Sequence, residues 1–453
     1  MKLSKIIFTI IMAAICLASC KKYLDAKPNI GLQVPSTLAD LQALLDFTTD
    51  MNLASPVSLE IPADDCTLLD ITWNGLPHAT RKNLYIWEKD VFNDILSPGD
   101  WAATYIPVYR ANVVLETLEK INRTTSNANQ WDQVKGAALV FRARGFYDAL
   151  QVWAKGYDKN TASTDLGIPL RLSSNFNEVS KRATVLQCYQ QILGDLNEGV
   201  QLLPTQIQHI MRPSKPAAYG WLARTYLAMQ EYTKAGENAD LCLKLKNTLI
   251  DYNKLSLGAV FPFDLQNEEL IFSTAIVQQN NTVNGRIDGQ LYGLYEQDDL
   301  RKQAFFKTFI TSSGGGIGFK GSYFGDNNLF TGIATNEMYL IRAECNARAG
   351  NTLSALNDLN ALLTKRYANN KYQPYTLTDA NELLLLVLKE RRKELLFRGL
   401  RWTDLKRLNK EAAHAITIRR FLNGLLYELP PNDKRYAFSI PNSVIEITGM
   451  PQN

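Results

Sequence analysis

The chain has 453 residues, of which 46% are hydrophobic and 21% charged, and its formal net charge is +4. So small a charge excludes the strongly basic surface typical of nucleic-acid-binding proteins. The composition, which lacks a low-complexity linker, excludes an intrinsically disordered chain and predicts one large compact body.

The first 19 residues have the pattern of a signal peptide, because Lys2 and Lys5 precede an apolar run at residues 6–18. A helix of this length would span roughly 20 Å, which is too short for a hydrocarbon core about 30 Å thick. Residues 17–19, Leu-Ala-Ser, lead directly to Cys20 in an order that resembles the bacterial lipobox. That resemblance implies cleavage before Cys20 and acylation of its sulfur and of the new amino terminus, which makes Cys20 a membrane anchor. The alternative is an ordinary secreted protein with an incidental cysteine.

The mature chain, residues 20–453, is predicted to form a single, mainly α-helical domain. Cleavage removes two lysines and leaves a net charge of +2. Apolar residues recur at helical spacing of three and four in six long blocks, namely 107–121, 134–154, 184–203, 215–245, 336–367 and 381–408.

Two of these blocks contain a break that divides each into a helical hairpin. In the later hairpin, Gly350 can adopt the left-handed conformation that ends a helix. Alanines stand twelve residues apart in both hairpins, Ala223 with Ala235 and Ala343 with Ala355. Their small side chains would let the two helices approach closely, as in tetratricopeptide hairpins. Because the two hairpins lie far apart in sequence, they are expected to be embedded in the scaffold and not to form a tandem solenoid.

Two regions lack the helical pattern and are predicted to be loop-rich excursions with minor β-structure. They are residues 50–106, which hold three tryptophans, and residues 247–335, which contain the β-like run ELIFSTAIV. Binding residues are concentrated on loops held by a rigid frame. We therefore expect the functional surface to lie in these two regions.

No catalytic motif or metal-ligand spacing is present, since the three histidines, His78, His209 and His414, are widely separated. The sequence accordingly predicts no enzyme, no cofactor and no metal site. Four cysteines of the mature chain are also far apart and are predicted to be buried free thiols, with disulfides as the alternative: Cys66, Cys188, Cys242 and Cys345.

Two further patterns invite a functional interpretation. Gly316, Gly318 and Gly321 fit the Gly-x-Gly-x-x-Gly spacing of dinucleotide sites, but no helix is expected after them, and they are predicted to form a mobile turn. Asp64 and Asp65 are paired carboxylates, which are expected to be solvated or to cap a helix.

The chain resembles the SusD/RagB family of Bacteroidetes surface lipoproteins in several segments that occur in the family's order. These segments are CKKYLDAKP at 20–28, FRARGFYDALQVWAKGY at 141–157 with GIPLRL at 167–172, KRATVLQCYQQILGDLNEGVQLLP at 181–204, the two hairpins, ERRKELLFRGLRWTDLKR at 390–407, FSIPNSVI at 438–445 and the terminal PQN. Gly199 stands where the family usually has alanine. The resemblance covers nearly the whole mature chain and is weakest at residues 50–106 and 275–330.

The segment at 390–407 also has a physical interpretation that does not depend on the family. Leucines can form an apolar stripe along one helix, while Arg401 with Asp404 and Asp404 with Arg407 form ion pairs at three-residue spacing. This segment is therefore predicted to maintain the scaffold.

The resemblance implies a protein on the outer face of the outer membrane that captures a glycan or a peptide. It would deliver this nutrient to a TonB-dependent transporter of the SusC type. Two alternatives remain open: a structural or gating lid that selects no ligand, and capture of peptide in place of glycan.

The resemblance also implies a ligand face where the early and late loop regions meet. The candidates are Trp73, Asn74 and Arg81 from the first region and Tyr292, Tyr295 and Tyr323 from the second. Each aromatic residue has the alternative role of a packing residue. Trp73 is expected at the surface, in a loop.

Overall fold

The computed structural model describes residues 35–92, 99–277, 285–311 and 314–453. The proposed signal peptide and Cys20 lie outside the described residues. Within them the chain is mainly helical, as the sequence predicts.

The helices of the described residues are sixteen in number. They are α1 (Leu38–Leu45), α2 (Thr48–Met51), α3 (Asp70–Asn74), α4 (Ala79–Tyr85), α5 (Gly99–Leu118), α6 (Ala128–Trp153), α7 (Val185–Leu202), α8 (Lys215–Ala228), α9 (Tyr232–Leu245), α10 (Gly289–Gly293), α11 (Arg301–Phe305), α12 (Thr335–Arg348), α13 (Thr352–Thr364), α14 (Ala380–Glu394), α15 (Arg401–Leu408) and α16 (Asn442–Thr448).

The strands pair two by two, and every pair is antiparallel. They are β1 (Cys66–Thr67), β2 (Leu166–Pro169), β3 (Arg182–Thr184), β4 (Leu270–Phe272), β5 (Ala275–Ile276), β6 (Arg286–Ile287), β7 (Phe306–Thr311), β8 (Gly314–Phe319), β9 (Leu329–Phe330), β10 (Ile333–Ala334), β11 (Ile418–Leu422) and β12 (Leu425–Leu429). The pairs are β1 with β6, β2 with β3, β4 with β10, β5 with β9, β7 with β8 and β11 with β12.

The long helices form the scaffold by packing successively against one another, from α5 through α9 and on to α12, α13 and α14. Helix α7 begins at a capping box, in which Thr184 and Gln187 each accept a hydrogen bond from the other's backbone N–H. One apolar core fills the space between the helices from α5 to α9. A second core lies under the late loop region, and a third lies between α12, α13 and α14.

Both hairpins are formed as predicted. Helix α8 turns into α9, and α12 turns into α13; the spaced alanines, Ala223, Ala235, Ala343 and Ala355, are all fully buried. Gly350 has φ +77° and ends α12 in the left-handed conformation. The first hairpin makes its turn with Gln230 at φ +60°, a position that the sequence does not mark with glycine.

The block predicted as one helix over 381–408 is broken between α14 and α15. Phe397 and Gly399 have φ of +55° and +67°, so the chain leaves the helical conformation there. The expected pair between Asp404 and Arg407 is present at 2.8 Å. Arg401 does not pair with Asp404 as predicted; it binds Asp64, which only the tertiary structure brings within reach.

The glycine run at 314–319 forms strand β8, which corrects the prediction of a turn. Gly316 lies against the side chain of Arg286, so that an added Cβ would stand 2.6 Å from the Arg286 Cγ. No helix follows β8 directly, which agrees with the rejection of a dinucleotide site.

The four cysteines of the described residues are buried free thiols, as predicted. Burial raises the pKa of each thiol; that of Cys188, for example, is raised to about 11. None of the helices formed by the described residues combines the length and apolar character needed to span a bilayer.

Candidate functional site

The early and late loop regions meet through strands β1 and β6. Cys66 pairs with Ile287 and Thr67 with Arg286, and the Asp288 N–H donates to the carbonyl oxygen of Asp65 at 3.0 Å. Helices α3 and α4 follow β1 in the chain, while α10 follows β6. The β1–β6 pairing therefore joins the two regions that carry the candidate residues.

Trp73 lies in the short helix α3, which corrects the prediction that it stands in a loop. Its ring is half-buried, and the indole N–H donates to the carbonyl oxygen of Lys82 at 3.3 Å. The Lys82 ammonium lies 5.8 Å from the ring centroid and donates to the carbonyl oxygen of Asn74 at 2.7 Å. The indole N–H is thus satisfied within the protein, and the ring remains partly accessible.

Asn74 is exposed, and its side-chain amide is paired with that of Asn423. The two amides exchange hydrogen bonds of 3.0 and 3.1 Å, and the Asn423 N–H donates to Asp70 Oδ1. Asn423 and Gly424, both at positive φ, form the turn between β11 and β12. An Asn-Gly dipeptide between two apolar runs is a sequence signal for a β-hairpin. This turn carries the signal, although it is not among the predicted features.

Arg81 lies half-buried on α4. Burial lowers the pKa of its guanidinium, and the nearby Asp100 opposes that effect. Asp100 itself accepts hydrogen bonds from the backbone N–H groups of Val57 and Ser58.

Tyr292 is half-buried on α10, with one edge-to-face contact to Phe306 at 5.2 Å between ring centroids. The Lys302 ammonium lies 4.9 Å from its ring centroid. Tyr292 and Trp73 thus share an arrangement in which a lysine ammonium lies near an accessible aromatic ring, within the distance of a cation–π contact. Across the part of the chain that the structure describes, no hydrogen bond or ring contact joins these two residues directly.

Tyr295 and Tyr323 are core residues, each only 1% exposed, so the structure corrects their expected place on a ligand face. The Tyr295 hydroxyl donates to the carbonyl oxygen of Lys393, and the Tyr323 hydroxyl donates to Glu269, both at 2.8 Å. Both rings pack in the second core, where their apolar surface is removed from water. Each buried hydroxyl has a hydrogen-bond partner there, as is usual for buried polar groups.

Asp65 is buried, Asp64 is partly buried, and both are paired with arginines, which corrects the expectation of a solvated pair. Arg401 binds both carboxylate oxygens of Asp64 at 2.6 and 2.9 Å, and Arg392 donates to Asp65 at 3.0 Å. Burial raises the pKa of Asp64, but the Arg401 guanidinium outweighs it and holds that pKa well below its usual range. These carboxylates tie the early loop region to α14 and α15.

Accessible aromatic rings and N–H donors remain on α3, α4, α10 and α11, and we refer to these candidate residues together as the Trp73–Tyr292 face. It consists of Trp73, Asn74, Arg81 and Lys82 on one side and Tyr292 and Lys302 on the other. No group of three or more metal-ligating side chains occurs within residues 35–92, 99–277, 285–311 and 314–453. The chemistry available on this face is stacking and hydrogen bonding.

Two protein-family models match the chain. The model described as "Starch-binding associating with outer membrane" matches residues 22–227, and that of the SusD family matches residues 329–443. Among curated proteins, the chain is similar to the SusD-like protein P38 of Formosa agariphila, with 21% identity over 425 residues that cover 74% of this chain and 78% of that protein.

Solved structures share the fold over almost the whole chain. A SusD superfamily protein of Bacteroides thetaiotaomicron has a TM-score of 0.74 at 21% identity, with 92% of this chain and 99% of that chain covered. A SusD-like carbohydrate binding protein of Bacteroides vulgatus has a TM-score of 0.68 at 20% identity, with 91% of this chain and 97% of that chain covered. At such identities the likeness extends to the architecture alone.

Proposed function

Because this chain belongs to the SusD/RagB family, we propose that it captures a nutrient glycan and delivers it to an outer-membrane transporter. Capture requires recognition of the ligand without chemical change, so no catalytic residue is assigned. The relatives described as carbohydrate-binding support a glycan as the ligand class.

The observation that carries this proposal is the Trp73–Tyr292 face. A sugar ring has an apolar side that stacks on aromatic rings and hydroxyl groups that need hydrogen-bond partners. Trp73 and Tyr292 supply partly accessible rings, and Lys82 and Lys302 place ammonium groups beside them. Arg81 and Asn74 add further polar groups. To bind the ligand, the Asn74 amide would have to give up its hydrogen bonds with the Asn423 amide.

The anchor is Cys20, whose acyl chains would hold the protein at the outer membrane with the folded domain facing outward. Lys21 and Lys22 follow it and would keep the tether solvated. The family model's description, which names association with an outer membrane, supports this location.

The transporter is of the TonB-dependent SusC type, which the SusD family implies as the partner. A lid that closes over bound ligand can pass it into the barrel beneath, and such hinge motions are common in binding proteins. The partnership is tested by co-purification of the detergent-solubilised lipoprotein with that transporter.

Binding is tested with the mature chain carrying Cys20→Ala, titrated calorimetrically with panels of glycans and of peptides. We expect at least one glycan to bind and no peptide to do so. Peptide binding alone would replace the glycan assignment. Failure of both panels would favour a gating lid that selects no ligand.

A further inference from the structure

A groove lies along α5, on a surface to which the Trp73–Tyr292 face contributes no residue. The loop between β2 and β3 and the carboxyl-terminal helix α16 form its other walls, and its volume is about 320 Å³. This volume falls at the lower end of the ~300–1,000 Å³ typical of small-molecule sites.

Aromatic rings follow one side of the groove at a regular spacing. Trp101, Tyr105 and Tyr109 stand four residues apart on α5, and the first two rings stack with centroids 4.8 Å apart. Phe176, from the loop between β2 and β3, stacks on Tyr109 at 4.9 Å with 28° between the ring planes. Phe176 is 78% exposed, so this second stack presents ring surface to solvent.

The loop that carries Phe176 is fixed by hydrogen bonds to α5. The Asn112 amide donates to the carbonyl oxygens of Arg171 and Ser173, at 2.8 and 3.3 Å. The Ser174 N–H donates to Glu116 at 2.7 Å. The groove is therefore formed before any ligand arrives, which lowers the entropic cost of binding.

The groove also carries hydrogen-bonding capacity that the protein does not use. The Arg171 guanidinium donates to the carbonyl oxygens of Asn175 and Glu178 and to the Ser180 hydroxyl, which occupies three of its five N–H donors. The Ser180 hydroxyl accepts that bond and keeps its own proton to donate. The Tyr109 hydroxyl has no hydrogen-bond partner within the described part of the chain.

We propose that this groove is a second carbohydrate site, which takes a single sugar ring of a glycan. The ring stacks on the Tyr109–Phe176 pair, and its hydroxyls bind Arg171, Ser180 and the Tyr109 hydroxyl. Val444, Ile447 and Met450 of the opposite wall contact its apolar edge. This inference goes beyond the proposed function, because it places ligand outside the Trp73–Tyr292 face. An apolar peptide side chain is the competing occupant, but it would leave the unused donors without partners.

The test uses the mature Cys20→Ala chain and a panel of neutral and uronate-containing trisaccharides, followed by calorimetry and ligand-observed NMR. The variants are Phe176→Ala, which removes a stacking ring, and Tyr109→Phe, which keeps the ring and removes the hydroxyl. Phe421→Ala is the matched control, because Phe421 is 70% exposed on β11 and does not line the groove. Each variant is also made in a Trp73→Ala, Tyr292→Ala background.

We expect Phe176→Ala to weaken sugar binding about three- to tenfold in both backgrounds, the factor that corresponds to one lost aromatic contact. Tyr109→Phe should weaken it less, and Phe421→Ala should leave it unchanged. Unchanged affinity and stoichiometry for both Phe176→Ala and Tyr109→Phe would overturn the second site while leaving the Trp73–Tyr292 face intact. Loss of binding only in the groove variants would overturn that face and retain the groove. Binding of no trisaccharide, or of apolar peptide alone, would overturn both sites.

Discussion

Glu60 is a buried carboxylate with one oxygen hydrogen-bonded to the Gly399 N–H at 2.8 Å. Burial, together with the nearby Asp65, raises its pKa to about 8. In the unfolded chain the pKa of glutamate is about 4.3, so between these values the native state binds more protons than the unfolded state. The free energy of unfolding therefore falls as the pH rises from about 4.3 to 8.

Glu60→Gln should remove that contribution, because the amide stays neutral and can still accept from Gly399. Urea unfolding at pH 5 and pH 8 measures it. Between pH 5 and pH 8, we expect the free energy of unfolding of the wild type to fall by on the order of a few kcal/mol more than that of the variant. Equal losses would show that Glu60 is already ionised in the folded protein at pH 5.

Trp73→Ala tests the Trp73–Tyr292 face at the level of one ring. Removal of a stacking indole should weaken glycan binding roughly tenfold, since each 1.4 kcal/mol is a factor of ten. Calorimetry on the folded variant measures the effect, and unchanged affinity for both Trp73→Ala and Tyr292→Ala would contradict the face.

The same variant should also lower the free energy of unfolding by about 1 kcal/mol. A surface loop position would predict almost no loss, but Trp73 is half-buried and its indole N–H binds the Lys82 carbonyl oxygen.

At the scale of elements, the two helical hairpins depend on close approach of their paired helices. Ala223 and Ala343 have no exposed surface, so Ala223→Leu or Ala343→Leu inserts volume into a filled interface. Each should cost about 1 to 3 kcal/mol of unfolding free energy in chemical denaturation. Ala361→Leu is the control, since Ala361 is exposed on the helix α13 of the same hairpin. The close-packing argument fails if both buried variants match that control.

At the scale of the whole molecule, a buried ion network joins the late loop region to α14. Arg301 lies within 2.7 Å of both Asp299 and Glu390, and 3.2 Å from Glu394. Arg366 connects Glu394 to Glu269 in turn. Several of these charged groups are fully buried, so each depends on stabilisation by the opposite charges that contact it.

Arg301→Leu should destabilise the protein by about 3 to 5 kcal/mol, because it removes the cation that bridges three buried carboxylates and leaves Asp299 and Glu390 with Lys393 alone among the described cations. Arg419→Leu is the matched control, since Arg419 forms an exposed pair with Glu428 that should contribute less than about 1 kcal/mol. Denaturant unfolding of both variants measures the difference, and similar stabilities would show that the network contributes little.

The proposed attachment to the membrane through Cys20 concerns the whole molecule. Cys20→Ala should yield a folded protein that no longer sediments with outer membranes, because the variant lacks the residue proposed to carry the acyl anchor. Membrane fractionation in cells that lack the transporter partner checks this. A variant that still sediments there would rule out Cys20 as the tether.

The helical scaffold could be predicted from the amino-acid sequence, because helical periodicity and hairpin turns are encoded within a few turns of chain. The blocks at 184–203 and 215–245 closely match α7 and the α8–α9 hairpin, and the spaced alanines are buried in both hairpins. The family resemblance likewise depends on local segments, so the order of residues along the chain is enough to identify it.

The accessibility of individual polar and aromatic residues could not be predicted in this way. Asp64 and Arg401 are 337 positions apart, and nothing local in either segment marks them as a pair. The sequence does not distinguish Tyr295 and Tyr323 from Tyr292, yet the second core covers the first two and leaves the third half-exposed. Burial depends on what other segments pack against a residue, and one sequence specifies that packing only through the complete fold.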